Sequence, residues 1–451
     1  MTSVLLVYPF FKPRRDRSVF RFPPLGIAYI ASSLQSAGHK VTLLDCTFRN
    51  RNDALKEARA VQADVVGIYC MATLLDDCLW FSHELRDQTR WMIAGGPLPT
   101  CGPETFIHDF DYVVLGEGEK TIVELLEAFN ENLDISKVSG IAYRNRHSGE
   151  IVYTQPRSFI EDLDRIPFPA RELLPNTHYQ AQGQRKYGFS ISTVMSTRGC
   201  PYRCEFCSNV VFGGSYRERS ALNVVDEIEH TLALGYDRIS FADDVFTLNR
   251  ARVMAICDEI RRRGLHFGWE CLGRVDSMDA QLAETMKSAG CRRIYFGIES
   301  ANDAILELMN KRITPIQARK AVEIAHTAGI EVGAFFIVGY PGDTNETVLQ
   351  TLHFAADLPL DYLGLSMPYP LPGTKLFARV RERIDRDWHP EESLFGSHVL
   401  IFNADFSELK MWFGIIKGHA QFRMKRLLKG HLRFLPRVFE KVTDWIFTIL
   451  R

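Results

Sequence analysis

Cys200-Pro-Tyr-Arg-Cys204-Glu-Phe-Cys207 follows the strand-like run Ser190-Ile-Ser-Thr-Val-Met-Ser196 through Thr197-Arg198-Gly199. Three thiols within eight residues can wrap one corner of an inorganic cluster, because soft sulfur ligands suit iron–sulfur centres and zinc. A zinc site wants a fourth Cys or a His at similarly close range, and the neighbouring sequence holds none. Three ligands leave one metal position open to another molecule. A zinc site and three unligated cysteines are the alternatives.

Downstream of this loop the chain alternates between two periods. Strand-like cores lie near 190–196, 238–242, 266–272, 293–298, 331–338 and 362–367, separated by helical patterns at 221–234, 248–263, 278–289, 301–309, 315–328 and 345–357. Six strands with six crossovers predict a partial or full (β/α) barrel over 189–377, with its chemistry at the C-terminal strand ends. The region 378–451 is helical, rich in aromatics, and lacks the βα rhythm.

Upstream, short buried strands are predicted at 3–7, 40–44, 64–70, 91–94 and 111–115, with helices at 25–37, 52–61, 75–88 and 119–130. This alternation builds a doubly wound, Rossmann-like parallel sheet over 1–137, with ligands at the carboxyl ends of its strands. Gly95-Gly96-Pro97 and Gly116-Glu117-Gly118-Glu119 end the fourth and fifth strands. Glycines there allow positive φ and close backbone approach, serving either a bound ligand or a plain tight turn. A nicotinamide-binding domain is disfavoured, because no Gly-x-Gly-x-x-Gly follows the first strand. A hairpin around His147-Ser148-Gly149 and the Pro-rich run Ile166 to Pro175 make up a connecting region, 138–188.

With 54 basic and 55 acidic residues, the 451-residue chain carries a formal charge of −1 and has no general basic field for nucleic acid. Its 46% hydrophobic content excludes disorder as the main state. No signal peptide and no transmembrane span are read, so a cytoplasmic protein, monomeric, is expected. Most of the ten cysteines are then small buried apolar residues. The tail 417–451 departs from this balance, with nine Lys/Arg against Glu440 and Asp444 and apolar residues at helical spacing. It reads either as amphipathic helices packed on the barrel or as a docking surface for an acidic protein or an anionic membrane.

The cysteine spacing, with Phe206 in its aromatic position, resembles the radical S-adenosylmethionine superfamily, whose Cys-x3-Cys-x-aromatic-Cys loop follows strand one of a (β/α)6 partial TIM barrel. The resemblance implies that Cys200, Cys204 and Cys207 hold a [4Fe-4S] cluster completed by S-adenosylmethionine. Polar residues ending strands two to four would hold that molecule: Asp243 and Asp244, Arg274 and Glu299. The family's Gly-Gly-Glu wording is absent at strand two, so both aspartates stand, and Asp244 has a competing role as a helix N-cap. Gly339, in Gly333-Ala-Phe-Phe-Ile-Val-Gly-Tyr-Pro-Gly342, sits where the family binds adenine. Tyr369, in Met367-Pro-Tyr-Pro370, faces the same mouth and joins Glu299 as a candidate catalytic residue.

Val7-Tyr-Pro-Phe, Pro23-Pro24-Leu25-Gly26-Ile27-Ala28-Tyr29 and Ala37-Gly38-His39, with the two Gly-rich loops, resemble the cobalamin-binding domain preceding the barrel in one large class of that superfamily. This implies cobalamin at Tyr8, Thr73, Gly95, Gly96, Gly116, Glu117 and Gly118. The Asp-x-His-x-x-Gly signature is absent, and His39, His83 and His108 have the wrong neighbours, so cobalt without a histidine ligand is expected.

Together the resemblances imply a cobalamin-dependent radical C-methyltransferase. One S-adenosylmethionine yields a 5′-deoxyadenosyl radical that removes hydrogen from an unactivated sp3 carbon, methylcobalamin delivers the methyl group, and a second S-adenosylmethionine reloads cobalt. Implied partners are a ferredoxin or flavodoxin as electron donor and, as acceptor, a peptide such as a glutamine of methyl-coenzyme M reductase, or a hydrophobic small molecule. Cyclisation, rearrangement or hopanoid-type lipid modification are alternatives within the class, and a non-catalytic cobalamin or redox sensor is one outside it.

Overall fold

The computed structural model describes residues 1–11, 21–146, 148–384, 402, 404–428 and 434–450. His147 of the hairpin turn and residues 385–401 and 429–433 of the tail lie outside them. The chain divides into two compact units: Met1–Val194 with Asn209–Arg219 and Glu227–Arg238, and Met195–Ser208 with Ser220–Asp226 and Ile239–Arg451.

In the first unit, strands β1 (Ser3–Tyr8), β2 (Lys40–Asp45), β3 (Val65–Tyr69), β4 (Trp91–Gly95) and β5 (Tyr112–Val114) pair in parallel in the order β2-β1-β3-β4-β5. Their apolar runs are continuous because both faces are covered. Helices α1 (Leu25–Ser36) and α5 (Gly118–Glu131) pack together, as do α2 (Arg51–Val61) and α3 (Leu75–Leu85), and the short α4 (Pro97–Cys101) follows β4. Leu6, Ile27, Leu34, Leu125, Leu126 and Ile141 belong to one core. The strand order reverses between β1 and β3, which places the natural crevice at the carboxyl ends of those two strands.

The hairpin, β6 (Ile141–Arg144) and β7 (Ile151–Tyr153), is more than a connector. It extends this sheet antiparallel from β5, making seven strands. The Pro-rich run is likewise packed rather than loose. Arg171, inside a 3-10 turn, is buried and donates to Ser192 Oγ (3.1 Å), the Thr193 carbonyl (2.6 Å) and Glu227, which Arg219 also engages. Two guanidinium groups around one buried carboxylate leave that carboxylate fully paired, and the second cation is partly offset by the Ser192 and Thr193 oxygens that Arg171 reaches.

The second sheet is six-stranded, ordered β15-β14-β13-β12-β11-β8. Its strands are β8 (Ile191–Val194), β11 (Arg238–Phe241), β12 (Gly268–Gly273), β13 (Cys291–Glu299), β14 (Glu331–Ile337) and β15 (Tyr362–Ser366), with two-residue strands β9 (Thr197–Arg198) and β10 (Arg217–Glu218) outside it. β12 to β15 pair in parallel, and β8 and β15 are its edges, so the barrel is partial. Side-chain caps start the helices between the strands: Asn249 before Arg250–Arg262, Asp279 before Ala280–Ser288, and capping boxes at Thr314 and Thr344 before Pro315–Thr327 and Asn345–Asp357.

The tail helix Glu408–Leu427 packs on Asn345–Asp357 and on β15, and Phe434–Ile449 packs on both helices. Among the described residues, no helix is long and apolar enough to cross a membrane.

Candidate functional site

The cysteine loop is fastened before it begins. Asp243, fully buried at the end of β11, accepts from the Ser196 and Thr197 backbone N–H groups (2.6 and 3.0 Å) and from the Ser196 hydroxyl. Arg252 stands behind it, 3.7 Å from Asp243 Oδ2 and 3.0 Å from Ser196 Oγ. Further along, Glu205 N–H donates to the Met309 carbonyl (3.0 Å), Asn310 Nδ2 to the Arg203 carbonyl (2.7 Å), and Leu376 N–H to the Glu205 carbonyl (2.8 Å). The Glu205 carboxylate meets Arg379 and the Tyr340 hydroxyl. Four separate segments, at Asp243, Met309–Asn310, Tyr340 and Leu376–Arg379, thus hold one irregular loop in shape.

No cysteine is in a disulfide. Cys200 and Cys204 are half-buried and Cys207 is exposed, whereas six of the other seven are buried. Burial raises the Cys200 thiol, and burial followed by the charges of Asp244 and the neighbouring thiols pushes Cys207 up to about 12. Cys200 and Cys207 therefore favour the neutral thiol until a cation arrives, and bound iron would supply one. Three accessible, mutually close thiols fit a cluster with one open corner.

Around this loop gather the residues expected at the strand ends. Asp243 is spent on the loop, while Asp244 is exposed and close enough to Cys200 and Cys207 to raise both. The N-cap alternative for Asp244 does not hold, because Asn249 caps the next helix. Arg274, buried at the end of β12, is clamped by both Asp276 oxygens (3.0 Å each) and the Lys311 carbonyl (3.2 Å), with its guanidinium 3.5 Å from the Tyr202 ring centre. Glu299 ends β13 in the left-handed region (φ +70°), where a non-glycine residue is uncommon, and its Oε1 accepts from Lys311 Nζ at 2.9 Å. Lys311 also lies 5.6 Å from the Phe206 ring centre. A Cβ at Gly297 would stand 2.5 Å from Glu299 Oε1 and 3.0 Å from Lys311 Nζ, so glycine keeps the room for this pair.

Gly339 follows β14 with its N–H bonded to Asp343 (3.0 Å), and a Cβ there would meet Met411 Sδ at 2.4 Å. Its lack of a side chain is explained by that packing. Tyr369 is half-buried in the segment after β15. Lys311, Tyr202 and Arg252 escaped the sequence reading. Lys311 follows a short helix in the ordinary-looking Asn310-Lys311-Arg312, and only the left-handed φ of both neighbours, 51° and 56°, marks the spot.

In the first unit, Tyr8 and Tyr69 end the two strands at the reversal point, with ring centres 5.5 Å apart. The Thr73 hydroxyl, after β3, is buried without a partner among the described residues. Gly95 ends β4, and Gly96 (φ +117°) lies so near the Cys70 carbonyl that a Cβ would stand 2.6 Å from it. Gly116 (φ +71°) turns into α5, at Gly118, with no atom nearer than 3.8 Å to a Cβ position. An unsatisfied hydroxyl and an open left-handed turn on one sheet edge fit a bound ligand. Glu117 is otherwise engaged: buried, it is bidentate to Arg217 (2.8 and 2.9 Å) and accepts from Ile160 N–H (2.8 Å). His39, His83 and His108 lie in segments leading into the amino ends of β2, β4 and β5, the opposite edge.

Two family descriptions match the sequence, a B12 binding domain over 12–126 and the radical SAM superfamily over 194–355. An uncharacterized methyltransferase of Pyrococcus horikoshii is 35% identical over 367 residues, covering 79% of this chain and 78% of the relative. The anaerobic magnesium-protoporphyrin IX monomethyl ester cyclase of Rubrivivax gelatinosus is 28% identical over 397 residues, 85% of this chain and 70% of its own. Among solved structures, the radical S-adenosylmethionine methyltransferase TsrM of Kitasatospora setae, with cobalamin and a [4Fe-4S] cluster bound, superposes with a TM-score of 0.72 at 22% identity, over 85% of this chain and 75% of that one.

Proposed function

The chain belongs to the cobalamin-dependent radical S-adenosylmethionine methyltransferase family, and from that premise we propose that it transfers a methyl group to an unactivated sp3 carbon. Its cofactors are a [4Fe-4S] cluster, S-adenosylmethionine and cobalamin. Bound, they supply hydrogen-abstracting power at carbon and a methyl group on cobalt.

The chain's own part is holding and orienting. Cys200, Cys204 and Cys207 would ligate iron, on a loop whose backbone is fixed by Asp243, Met309 and Asn310. Asp244, Arg274 and Glu299 would meet the polar groups of S-adenosylmethionine. Arg274 and Glu299 are pre-aimed by Asp276, Tyr202 and Lys311, so little ordering remains for binding to impose. In the first unit, Tyr8, Thr73 and the Gly116 turn would line the cobalamin edge. The cysteine trio set among these strand-end charges is the observation that carries the proposal.

The cyclase relative names a second reading, ring formation without methyl transfer. The compound that enzyme is named for is a small molecule, which favours a hydrophobic small molecule over the peptide acceptor as the substrate class. Reconstituted enzyme, with a flavodoxin or ferredoxin as reductant, is to be incubated with candidate lipids, porphyrins and glutamine peptides. A product heavier by one methylene, with deoxyadenosine and adenosylhomocysteine in equal amounts, is the expected result. Deoxyadenosine without homocysteine product establishes the second reading in its place.

A further inference from the structure

We propose that the outer face of the C-terminal helix Phe434–Ile449 docks the protein on an anionic lipid bilayer. Leu435, Val438, Val442, Trp445 and Ile449 recur at alternating three- and four-residue steps, so they form one stripe, and they are 37 to 65% exposed. At 1.5 Å per residue the stripe runs roughly 20 Å. The inner face is conventional: Phe447 is fully buried, over Gly414.

The charges of this helix are sorted by face. Asp444 accepts from Lys417 Nζ (2.8 Å) and contacts His353 Nε2 (3.0 Å), while Glu440 meets Lys425 (3.2 Å) and accepts from Gln421 Nε2 (2.7 Å). Both acids of the helix are thereby neutralised by the neighbouring helices. Arg437 and Lys441 remain, exposed and without an ion pair among the described residues. The outward surface is consequently apolar and positive, with no exposed acid.

An acidic protein surface would satisfy the two cations and leave the five apolar side chains wet. A second copy packed face to face would set like charges together. A bilayer interface takes both, because the stripe sinks among the acyl chains, Trp445 sits at headgroup level, and Arg437 and Lys441 extend to the phosphates.

The test is co-sedimentation of the full-length holoenzyme with phosphatidylcholine vesicles, with and without phosphatidylglycerol. Binding is expected to the anionic vesicles and to weaken with salt. R437Q/K441Q should lower that partition about thirty-fold, at roughly tenfold per 1.4 kcal/mol and about 1 kcal/mol per basic residue. V442S/W445S should abolish it, with iron and cobalamin contents unchanged in both variants. Wild-type protein left in the supernatant, equal partition of R437Q/K441Q, or a concentration-dependent dimer that V442S/W445S dissolves without any vesicle binding, overturns the proposal.

Discussion

Replacing Lys311 by Met isolates a carboxylate that the fold holds in an uncommon backbone conformation. Glu299 and Lys311 side chains are only 9 and 11% exposed, and their contact is 2.9 Å, so the magnitudes for buried pairs apply without discounting for solvent. Burial opposes the Lys311 ammonium, but the neighbouring Glu299 and Cys204 outweigh it and raise its pKa. Removing one partner of a buried pair costs about 3 to 5 kcal/mol. K311M and E299Q are each expected to lose that much, while the double variant, a thioether beside an amide, should lose far less than the sum, with a coupling of about 2 kcal/mol or more. E299G should be milder than E299Q by about 1 kcal/mol, since glycine accepts φ +70° without strain. Anaerobic urea unfolding followed by tryptophan fluorescence, in which Trp269 is a buried reporter in the same unit, measures all four variants. Single-variant losses that add to within about 0.5 kcal/mol of the double would refute the pairing.

C200A, C204A and C207A should each lose cluster iron by chemical assay, whereas C101A, half-buried in the other unit, should retain it. D244N should weaken S-adenosylmethionine binding about tenfold by calorimetry while leaving stability within about 0.5 kcal/mol. D243N, which disturbs the anchor of the cysteine loop, should instead lower the unfolding midpoint and iron retention together. Asp343 is raised to about 6 by burial, so the stability it contributes is present below the ordinary carboxylate range and lost as pH rises through 6. Two pKa steps correspond to at most about 3 kcal/mol. Wild type should therefore lose stability relative to D343N between pH 4 and pH 7 in parallel urea titrations, and equal pH slopes would contradict the assignment.

Periodicity made the alternating strands and helices of both units readable to within a few residues, though not the helix Asn176–Tyr187, and the thiol spacing singled out the loop proposed to hold the cluster. What escaped was set by tertiary contact. Adjacent Asp243 and Asp244 are both polar, so alternation along β11 could not say which turns inward until packing against Ser196 and Arg252 decided it. Glu117 sits in a Gly-rich loop of the kind that meets ligands, yet its partner, Arg217, is 100 residues away. The hairpin β6–β7 reads alike whether it connects units or completes a sheet, since only the β5–β6 register distinguishes the two. Lys311 carries no local signature because its role depends on three loops meeting.

The sheet that ends at β15 presents, in principle, a row of unpaired backbone groups to any passing strand. Helix Glu408–Leu427 stands against it, and Gly418 lets that helix approach so closely that an added Cβ would be 2.6 Å from Leu365 and 2.8 Å from Leu352. The tail therefore acts as the missing stave of an unfinished barrel. A chain cut near residue 416 would uncover Leu365 together with the strand edge and leave the barrel prone to cross-β stacking. Protection of that edge is thus a property of residues far beyond the last strand.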